Sequence, residues 1–470
     1  MKGIRPRLVS LVVISLFIAL TLISISPGSF AFAATSSAQS GVLKVRHHSI
    51  PNVLVSGGSC ESSKNAEVEQ AVDPTNGYIY EAWIGCNGIG FARSIDQGKS
   101  FENAYTVLGS QGVFAWDPAI AVSKNGIIYV SYMASTSSSV YGLLIGSPWV
   151  AVSFDHGASF SQLSEVMVPP QKSFSDRDFI ALSNSGTIYV TWDYSPDASL
   201  ITLQCASGGS CYYYSGDFNA MISISNDGGK TWSTPSAINP DYPNGGAITA
   251  PIIVEPNGAV DALYLEYGVT SGHVLTGGHE YFVQSNDGGS TWSKRVSLVG
   301  GDGSYQTPTE WWIDGSIARD QRGVLYASFD TQSSGQNNAW LSYSLNDGKT
   351  WSRADLLGTS VSGGTMNIES EVSGATSHRV YVAFVQIDPS GGWHVYAQVV
   401  KVSTLKKAFI SSPLLISNQV GISGIWGGDT IGISSLGKNK VAISFGYGIY
   451  VESSPLSEIF ESVIPYSYLV

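Results

Sequence analysis

The sequence predicts an all-β fold, a β-propeller of seven blades with four antiparallel strands in each blade. Three observations support this prediction. An eight-residue pattern recurs five times, a strand–turn–strand motif recurs seven times, and no stretch has the apolar periodicity of a long amphipathic helix. Divided among seven units, the chain after its N-terminal segment supplies about 62 residues per blade, which suits four short strands and their turns.

The eight-residue pattern, called the octet below, is S-x-(D/N)-x-G-x-(S/T)-(F/W). Its copies are SIDQGKSF at 94–101, SFDHGASF at 153–160, SNDGGKTW at 225–232, SNDGGSTW at 285–292 and SLNDGKTW at 344–351. In a tight hairpin the glycine can take a positive φ, the aspartate can accept backbone N–H groups, and the closing ring can pack within the sheet. The octets are therefore predicted to be structural turns rather than catalytic or metal-binding loops.

The second motif is a short apolar run, a polar turn with Gly or Asn, and an alternating β-branched and aromatic run. Its copies begin at Val68, Trp116, Asp176, Ala250, Asp314, Glu371 and Gly428. A third run leads into each octet and a fourth follows it, so the octets are expected to join the third strand of a blade to the fourth. The stretch VLKVRHHSI at 42–50 is expected to supply the outer strand that closes the ring against the C-terminal unit.

The octets resemble the Asp-box (BNR) repeats of the sialidase superfamily, and the resemblance covers nearly the whole chain after the N-terminal segment. It implies a propeller whose functional face lies opposite the octets. Because sialidases of this type have six blades, six remains the alternative to seven. The resemblance also implies three arginines on the active face and an F/Y-R-I-P motif. RHHSIP at 46–51 does not match that motif, and Arg177 is the one arginine expected at the functional face, so a sialic-acid-cleaving enzyme is disfavoured.

The N-terminus has the order of a secretory signal. Lys2, Arg5 and Arg7 precede an uncharged run, and an A-x-A sequence ends at Ala33. We predict a signal peptide over 1–33, a short linker over 34–41 and a single propeller domain over 42–470, in a protein that is secreted or held at the cell surface. The apolar run is long enough to span a bilayer if it stays uncut, so a membrane anchor is the alternative.

Four cysteines fit an oxidising compartment, and their spacing favours pairing between neighbours. We predict the disulfides Cys60–Cys86 and Cys205–Cys211.

The net charge of −12 argues against a nucleic-acid partner, since such binding relies on Lys and Arg to neutralise phosphates. No pair of histidines has metal-ligand spacing with a third partner, and no phosphate-binding or dinucleotide fingerprint is present. No cofactor or metal site is therefore predicted, with a structural calcium ion left open.

Carboxylates and tryptophans stand where the chain enters the first strands, and a ring arrangement would bring them to one mouth of the channel. The candidate catalytic residues are Asp176, Arg177, Asp178, Glu310 and Asp314. The candidate ligand-binding residues are Trp116, Asp117, Tyr212, Tyr213, Tyr214, Trp311, Trp312, Trp426 and Asp429. Two carboxyl groups flanking a glycosidic bond can hydrolyse it, but the same groups can also bind sugars without chemistry.

Strand alternation predicts that Asp176 and Asp178 point in one direction and Arg177 in the other. The favoured function is an extracellular module that binds a glycan or a surface protein, acting as a monomer and without a membrane partner unless the N-terminal segment stays uncut. The alternative is a glycoside hydrolase or lyase that acts on acidic sugars through the mouth carboxylates, with Arg177 gripping the sugar's carboxylate.

Overall fold

The computed structural model describes residues 49–57, 65–135, 139–140, 143–205, 211–214, 218–240, 245–248, 250–269, 275–300, 315–333, 336–358, 366–374, 378–387, 392–404, 407–418, 427–451 and 454–470. The predicted signal peptide over 1–33 and the linker over 34–41 lie outside these residues. In the part of the chain that is described, no helix is both long and apolar enough to cross a membrane.

The structure is all-β, and its seven blades of antiparallel strands confirm the predicted propeller. The chain begins with the short strand β1 (Val53–Leu54), and blade one follows with β2 (Ala66–Val72), β3 (Ile79–Gly85), β4 (Gly88–Ser94) and β5 (Tyr105–Thr106). Blade two contains β6 (Phe114–Val122), β7 (Ile128–Ser135), the small hairpin β8 (Ser139–Val140) and β9 (Leu143–Leu144), β10 (Ser147–Ser153) and β11 (Gln162–Glu165). Blade three contains β12 (Phe174–Leu182), β13 (Ile188–Ser195), a 3₁₀ turn (Ala198–Leu200), the hairpin β14 (Thr202–Cys205) and β15 (Cys211–Tyr214), β16 (Asn219–Ser225) and β17 (Ser236–Ala237).

The remaining blades repeat this plan, with the first strand split in blade four and the fourth strand split in blade six. Blade four contains β18 (Gly245–Ile248), β19 (Ile252–Val254), β20 (Val260–Val269), β21 (Leu275–Ser285) and β22 (Val296–Leu298). Blade five contains β23 (Ser316–Arg319), β24 (Leu325–Ser333), β25 (Gln336–Ser344) and β26 (Asp355–Leu356). Blade six contains β27 (Met366–Gly374), β28 (Arg379–Ile387), β29 (Trp393–Thr404), β30 (Lys407–Ile410) and β31 (Leu414–Leu415). Blade seven contains β32 (Ile431–Leu436), β33 (Lys440–Val451) and β34 (Ser454–Pro465), and a short helix α1 (Tyr466–Leu469) ends the chain.

The first strands of the blades line the centre of the ring. Each lies against the first strand of the next blade, from β2 through β6, β12, β19, β23 and β27 to β32, which lies against β2 again. The second strand of a blade is then enclosed on both faces by the neighbouring blades, which explains why all eight residues of β7 are buried. Side chains that enter the first strands therefore gather around one channel.

The ring is closed by β1, which forms the outer strand of blade seven beside β34. The closing strand was expected over 42–50; residues 42–48 lie outside the described residues, and the described part of the outer strand is Val53–Leu54. Pro51 offers no N–H group to a strand ladder, and Asn52 instead uses its side-chain amide to bond Ile416 O at 3.0 Å and Ser462 Oγ at 2.7 Å. Within the described residues 49–57, regular pairing with β34 is therefore confined to Val53 and Leu54.

The octets lie between the third and fourth strands of blades one to five, as predicted. In every copy the Oγ of the first serine accepts the N–H of the glycine at the fifth octet position, at 2.8 to 3.0 Å. The aspartate or asparagine accepts the N–H four residues on at 2.8 to 3.0 Å. The Thr291 hydroxyl and backbone N–H groups lower the pKa of Asp287 to about 2. This carboxylate is therefore ionised at neutral pH and bonded within its own turn.

The closing aromatic rings of the octets fill space between blades. The Phe160 ring meets the Phe91 ring of blade one edge-on with centroids 5.0 Å apart, and Trp351 meets Phe282 of blade four in the same manner at 5.1 Å. Trp232 donates its indole N–H to Ser164 Oγ of blade two at 3.0 Å. The octets therefore hold neighbouring blades together.

Cys86 is part of a disulfide. Its predicted partner, Cys60, lies outside the described residues. Cys205 and Cys211 are backbone register partners on β14 and β15. Both predicted pairings remain predictions.

Candidate functional site

The candidate site lies at the end of the channel opposite the octets, where four of the first strands carry a β-bulge. The register shifts lie between Ala66 and Glu69 in β2, Trp116 and Ala119 in β6, Asp176 and Asp178 in β12, and Ile368 and Glu371 in β27. A bulge inserts one extra residue, bends the strand and redirects side chains. Because the bulge recurs near the start of these four first strands, it shapes the channel mouth in the same way in four blades.

Three of these bulges hold a residue other than glycine in the left-handed region. Glu67, Asp117 and Arg177 have φ values of 53°, 45° and 41°. Their side chains are nearly buried, with 5%, 9% and 7% of the residue surface exposed. Such backbone conformations are costly outside glycine and persist only where surrounding contacts enforce them. A strained backbone in three consecutive blades is a physical indication that this end of the channel is the functional one.

The contacts that enforce the bulges run from blade to blade. The backbone N–H of Arg177 donates to Asp117 Oδ2 at 3.0 Å, and the backbone N–H of Glu67 donates to Gly427 O at 3.2 Å. Gly428 has a φ of 111°, and a Cβ placed on it would lie 2.1 Å from the Glu67 nitrogen, so only glycine fits there. Blades two and three, and blades seven and one, are thus locked together at the mouth.

Arg177 reaches from blade three toward blade one. Its Nη2 lies 3.8 Å from Glu69 Oε1, its guanidinium carbon lies 4.8 Å from the centre of the Phe179 ring, and 8% of its side chain is exposed. It is therefore an internal cation of the channel, held among protein carboxylates.

The prediction that Asp176 and Asp178 share one direction is wrong. Asp176 pairs with Asp193 and Asp178 with Trp192, which are consecutive residues of β13, so the bulge at Arg177 turns the two carboxyls to opposite faces. Asp178 is buried, where burial raises its pKa and the Ser131 hydroxyl of β7 lowers it. The geometry makes Asp178 a contact between blades two and three, whereas Asp176 faces the mouth.

Asp176 is held by an indole from the neighbouring blade. Trp116 Nε1 donates to Asp176 Oδ1 at 2.7 Å. The Phe114 ring lies 5.3 Å from the Trp116 ring at an interplanar angle of 47°, and 40% of Phe114 is exposed. An exposed aromatic surface and a fixed carboxyl thus stand side by side at the rim of the channel.

Burial and mutual repulsion favour the protonated form of the mouth carboxyls. Burial raises the pKa of Asp176 well above its ordinary value, the charges of Asp117 and Asp429 raise it further, and the Trp116 hydrogen bond opposes them. Burial likewise raises the pKa of Glu67, with further contributions from Asp117 and Asp429. Asp176 and Asp429 still keep part of their surface accessible, so they can meet a ligand although they lie deep in the channel.

The structure thus brings together Trp116, Asp117, Asp176, Arg177 and Asp429, which the sequence had placed at one mouth. Sequence reasoning missed Glu67, Glu69 and Phe114. Glu67 could have been found by aligning the entry to blade one with those of blades two and three. Phe114 carried no such signal, because its role depends on its being left exposed beside Trp116.

For the other candidate residues, the structure gives either the backbone position alone or no description. Tyr212, Tyr213 and Tyr214 lie on β15, opposite Gln204, Leu203 and Thr202 of β14. Glu310, Trp311, Trp312, Asp314 and Trp426 lie outside the described residues.

Several arginines lie at the octet end of the ring, where they hold the fold together. Arg93 bonds Glu102 at 2.7 Å and the carbonyl of His156 at 2.8 Å. Arg379 Nη2 donates to Lys438 O at 2.7 Å, and Arg319 Nε lies 3.4 Å from Glu255 Oε1. No group of three or more His, Cys, Asp or Glu within the described ranges has the geometry of a metal site.

No protein-family model and no curated protein matches this sequence. Among solved structures, an ulvan lyase, a polysaccharide lyase bound to a GlcA(1-4)Rha3S ligand, matches with a TM-score of 0.53 and 12% identity over 87% of this chain and 96% of its own. The α-L-arabinanase of Penicillium chrysogenum, solved with arabinobiose, matches with a TM-score of 0.51 and 12% identity over 89% of this chain and 99% of its own. A Hadza microbial sialidase matches with a TM-score of 0.48 and 14% identity over 85% of this chain and 75% of its own. At such identities the likeness shows the fold alone: the chain shares its propeller architecture with proteins that act on carbohydrates.

Proposed function

We propose that the chain is a secreted or cell-surface β-propeller that binds an extracellular glycan at the channel mouth. The observation that supports this most is the aromatic pair of Phe114 and Trp116 beside the Asp176 carboxyl. A sugar ring has a flat face of C–H groups that packs on an aromatic ring, and a rim of hydroxyls that need hydrogen-bond partners. The mouth supplies both, since the exposed Phe114 offers the platform and Asp176, Asp429 and Glu69 keep accessible surface.

The charge of the mouth indicates which sugars suit it. Five carboxyl groups gather there, on Glu67, Glu69, Asp117, Asp176 and Asp429, and the Arg177 guanidinium among them is paired with Glu69. A uronic or sialic acid would bring a further carboxylate into a cluster whose charges already raise the pKa of Glu67 and Asp176, so its binding would cost further repulsion or proton uptake. We therefore propose an uncharged glycan as the ligand, in place of the acidic sugar that Arg177 suggested in the sequence.

Replacing Phe114 with alanine is expected to weaken binding of a neutral oligosaccharide about tenfold, because the sugar loses an aromatic face. Galacto-, gluco- and arabino-oligosaccharides, each titrated calorimetrically, would be compared with oligogalacturonides. The matched control is Phe154→Ala, since Phe154 is an aromatic side chain of similar exposure that lies in an octet at the other end of the ring. Equal affinities in the two variants, or tighter binding of the oligogalacturonides by the wild type, would contradict the proposal.

Glycoside hydrolysis at the same mouth is the second candidate, and the raised pKa of Asp176 favours it. A carboxyl whose pKa is raised holds its proton more readily and can donate it to a leaving oxygen, while the neighbouring Asp117 or Asp429 carboxyl supplies the second group. Asp176→Asn removes the proton donor but keeps an oxygen that can accept the Trp116 hydrogen bond. Any sugar cleavage by the wild type should fall at least about a hundredfold in this variant, with binding retained. Absence of cleavage across the same oligosaccharides would leave binding as the function.

A further inference from the structure

Two fully buried carboxyl groups face each other where the first blade meets the last. Glu81 lies on β3 of blade one and Glu461 on β34 of blade seven, and both are 0% exposed. The side-chain amide of Gln70 on β2 donates to Glu81 Oε1 and to Glu461 Oε2, both at 2.8 Å. A single amide group therefore bridges both carboxyls across the closing seam of the ring.

No cation among the described residues acts on the pair. The groups that act on the two carboxyls are each other, the Gln70 amide, the Ser444 hydroxyl and the backbone at Ile443. Ser444 is the register partner of Glu461 on β33, and Gly432 on β32 lets blade seven approach, since a Cβ there would lie 2.6 Å from Gln70 Cβ. Within the described structure, the second oxygen of each carboxyl, Glu81 Oε2 or Glu461 Oε1, is buried and has no hydrogen-bond partner. Two ionised carboxylates offer only acceptors, so a proton held between the two groups is what would satisfy these oxygens.

The proton is held more tightly in the folded chain than in the unfolded one. Burial raises the pKa of Glu81 to about 8 from its ordinary value of 4.5, and burial together with the Glu81 charge raises the pKa of Glu461. Between these two pH values the folded chain binds more protons than the unfolded chain, so stability falls as pH rises. The contribution of the pair is complete below about pH 4.5 and is lost as pH rises through about 8.

We propose that the Glu81–Glu461 pair is a proton-operated seal of the propeller ring, which stays closed while the two carboxyls share a proton and loosens when that proton is lost. In the open state two buried carboxylates would repel each other across the seam, and water would have to enter to solvate them.

Loosening would reach the channel mouth. Blade seven supplies Gly427, whose carbonyl holds the Glu67 bulge, and Asp429, whose charge acts on Glu67 and Asp176. The seal thus couples the acidity of the medium to the shape of the mouth, whatever ligand the mouth binds.

Hydrogen exchange resolved by segment tests the seal between pH 6 and pH 9. After correction for intrinsic exchange rates, protection of β1, β2 and β34 in the wild type is expected to fall by up to about tenfold per pH unit as pH rises toward 8 and to level off above it, because below pH 8 opening of the seam releases one bound proton. Glu461→Gln supplies a permanent amide N–H in place of the shared proton, so protection of the seam should become independent of pH. Glu81→Gln should give the same result and replaces the first variant if that one does not fold.

Asp261→Asn is the matched control. Burial raises the pKa of Asp261 to about 8 as well, but this residue lies on β20 of blade four. The control should alter the overall dependence of stability on pH and leave the seam's loss of protection intact. The proposal is overturned if seam protection in the wild type does not change between pH 6 and pH 9, or if it falls equally in the wild type and in both glutamine variants.

Discussion

Replacing Arg177 with alanine is expected to lower the free energy of unfolding by about 3 kcal/mol at pH 7, because it leaves buried carboxyls without their cation. The guanidinium is nearly buried and pairs with Glu69 of blade one, and the backbone N–H of the same residue bonds Asp117 of blade two. It therefore joins three blades at the mouth. Urea unfolding, followed by tryptophan fluorescence, measures the loss.

The pH dependence and a charge-conserving variant separate electrostatics from packing. The loss should shrink at pH 5, because burial raises the pKa of Glu67 and of Asp178, so these carboxyls hold protons more readily there and need the Arg177 charge less. Arg177→Lys keeps the charge and should recover part of the stability, although it loses the flat contact over Phe179. A stable Arg177→Ala protein that had lost affinity for oligogalacturonides would instead show that Arg177 grips an acidic ligand.

Replacing Gly348 with alanine is expected to lower the free energy of unfolding by about 3 kcal/mol, combining backbone strain with overpacking. Gly348 is the glycine at the fifth position of the octet in blade five, and its φ is 73°. A Cβ there would lie 1.9 Å from Cε1 of Phe282 in blade four, so the neighbouring blade has to move. Thermal and urea unfolding of the variant provide the measurement.

Gly228→Ala is the control that isolates the backbone cost. Gly228 lies in the octet of blade three with a φ of 78°, but a Cβ on it would meet nothing within 4 Å. The equivalent position in other octets is occupied by Gln97, His156 and Asp347, all with positive φ. This variant should lose only about 1 kcal/mol. Equal losses in the two variants would mean that contact between blades does not explain the glycine at position 348.

The sequence was sufficient for the architecture because the repeated octets and strand pairs encode it locally. The serine, aspartate and glycine of SNDGGKTW bond to one another within eight residues, so their spacing already implies the turn. The gathering of Trp116, Asp117, Asp176 and Asp429 at one mouth followed from the same repeat, since each stands at the entry to a first strand.

The details of the site depended on contacts that no short stretch of sequence contains. The bulge at Arg177 requires Asp117 from the preceding blade to accept its N–H, and without it strict alternation was the natural but wrong expectation for Asp176 and Asp178. The bridge from Glu81 through Gln70 to Glu461 joins positions up to 391 residues apart. Such groups can be recognised only from a structure in which the first and last blades are seen in contact.

Ring closure also sets an order of events during synthesis. The backbone N–H of Ile459 bonds the hydroxyl of Ser56, 403 residues earlier in the chain, so the N-terminal strand has no partner until the last blade has been made. At the usual elongation rate this delay is on the order of 20 to 80 s, during which β1 stays unpaired. Unpaired edges recruit foreign strands, so a nascent or truncated chain is the form of this protein most exposed to aggregation and proteolysis. Completion of β34 is the step that converts seven sheets stacked in a row into one closed body.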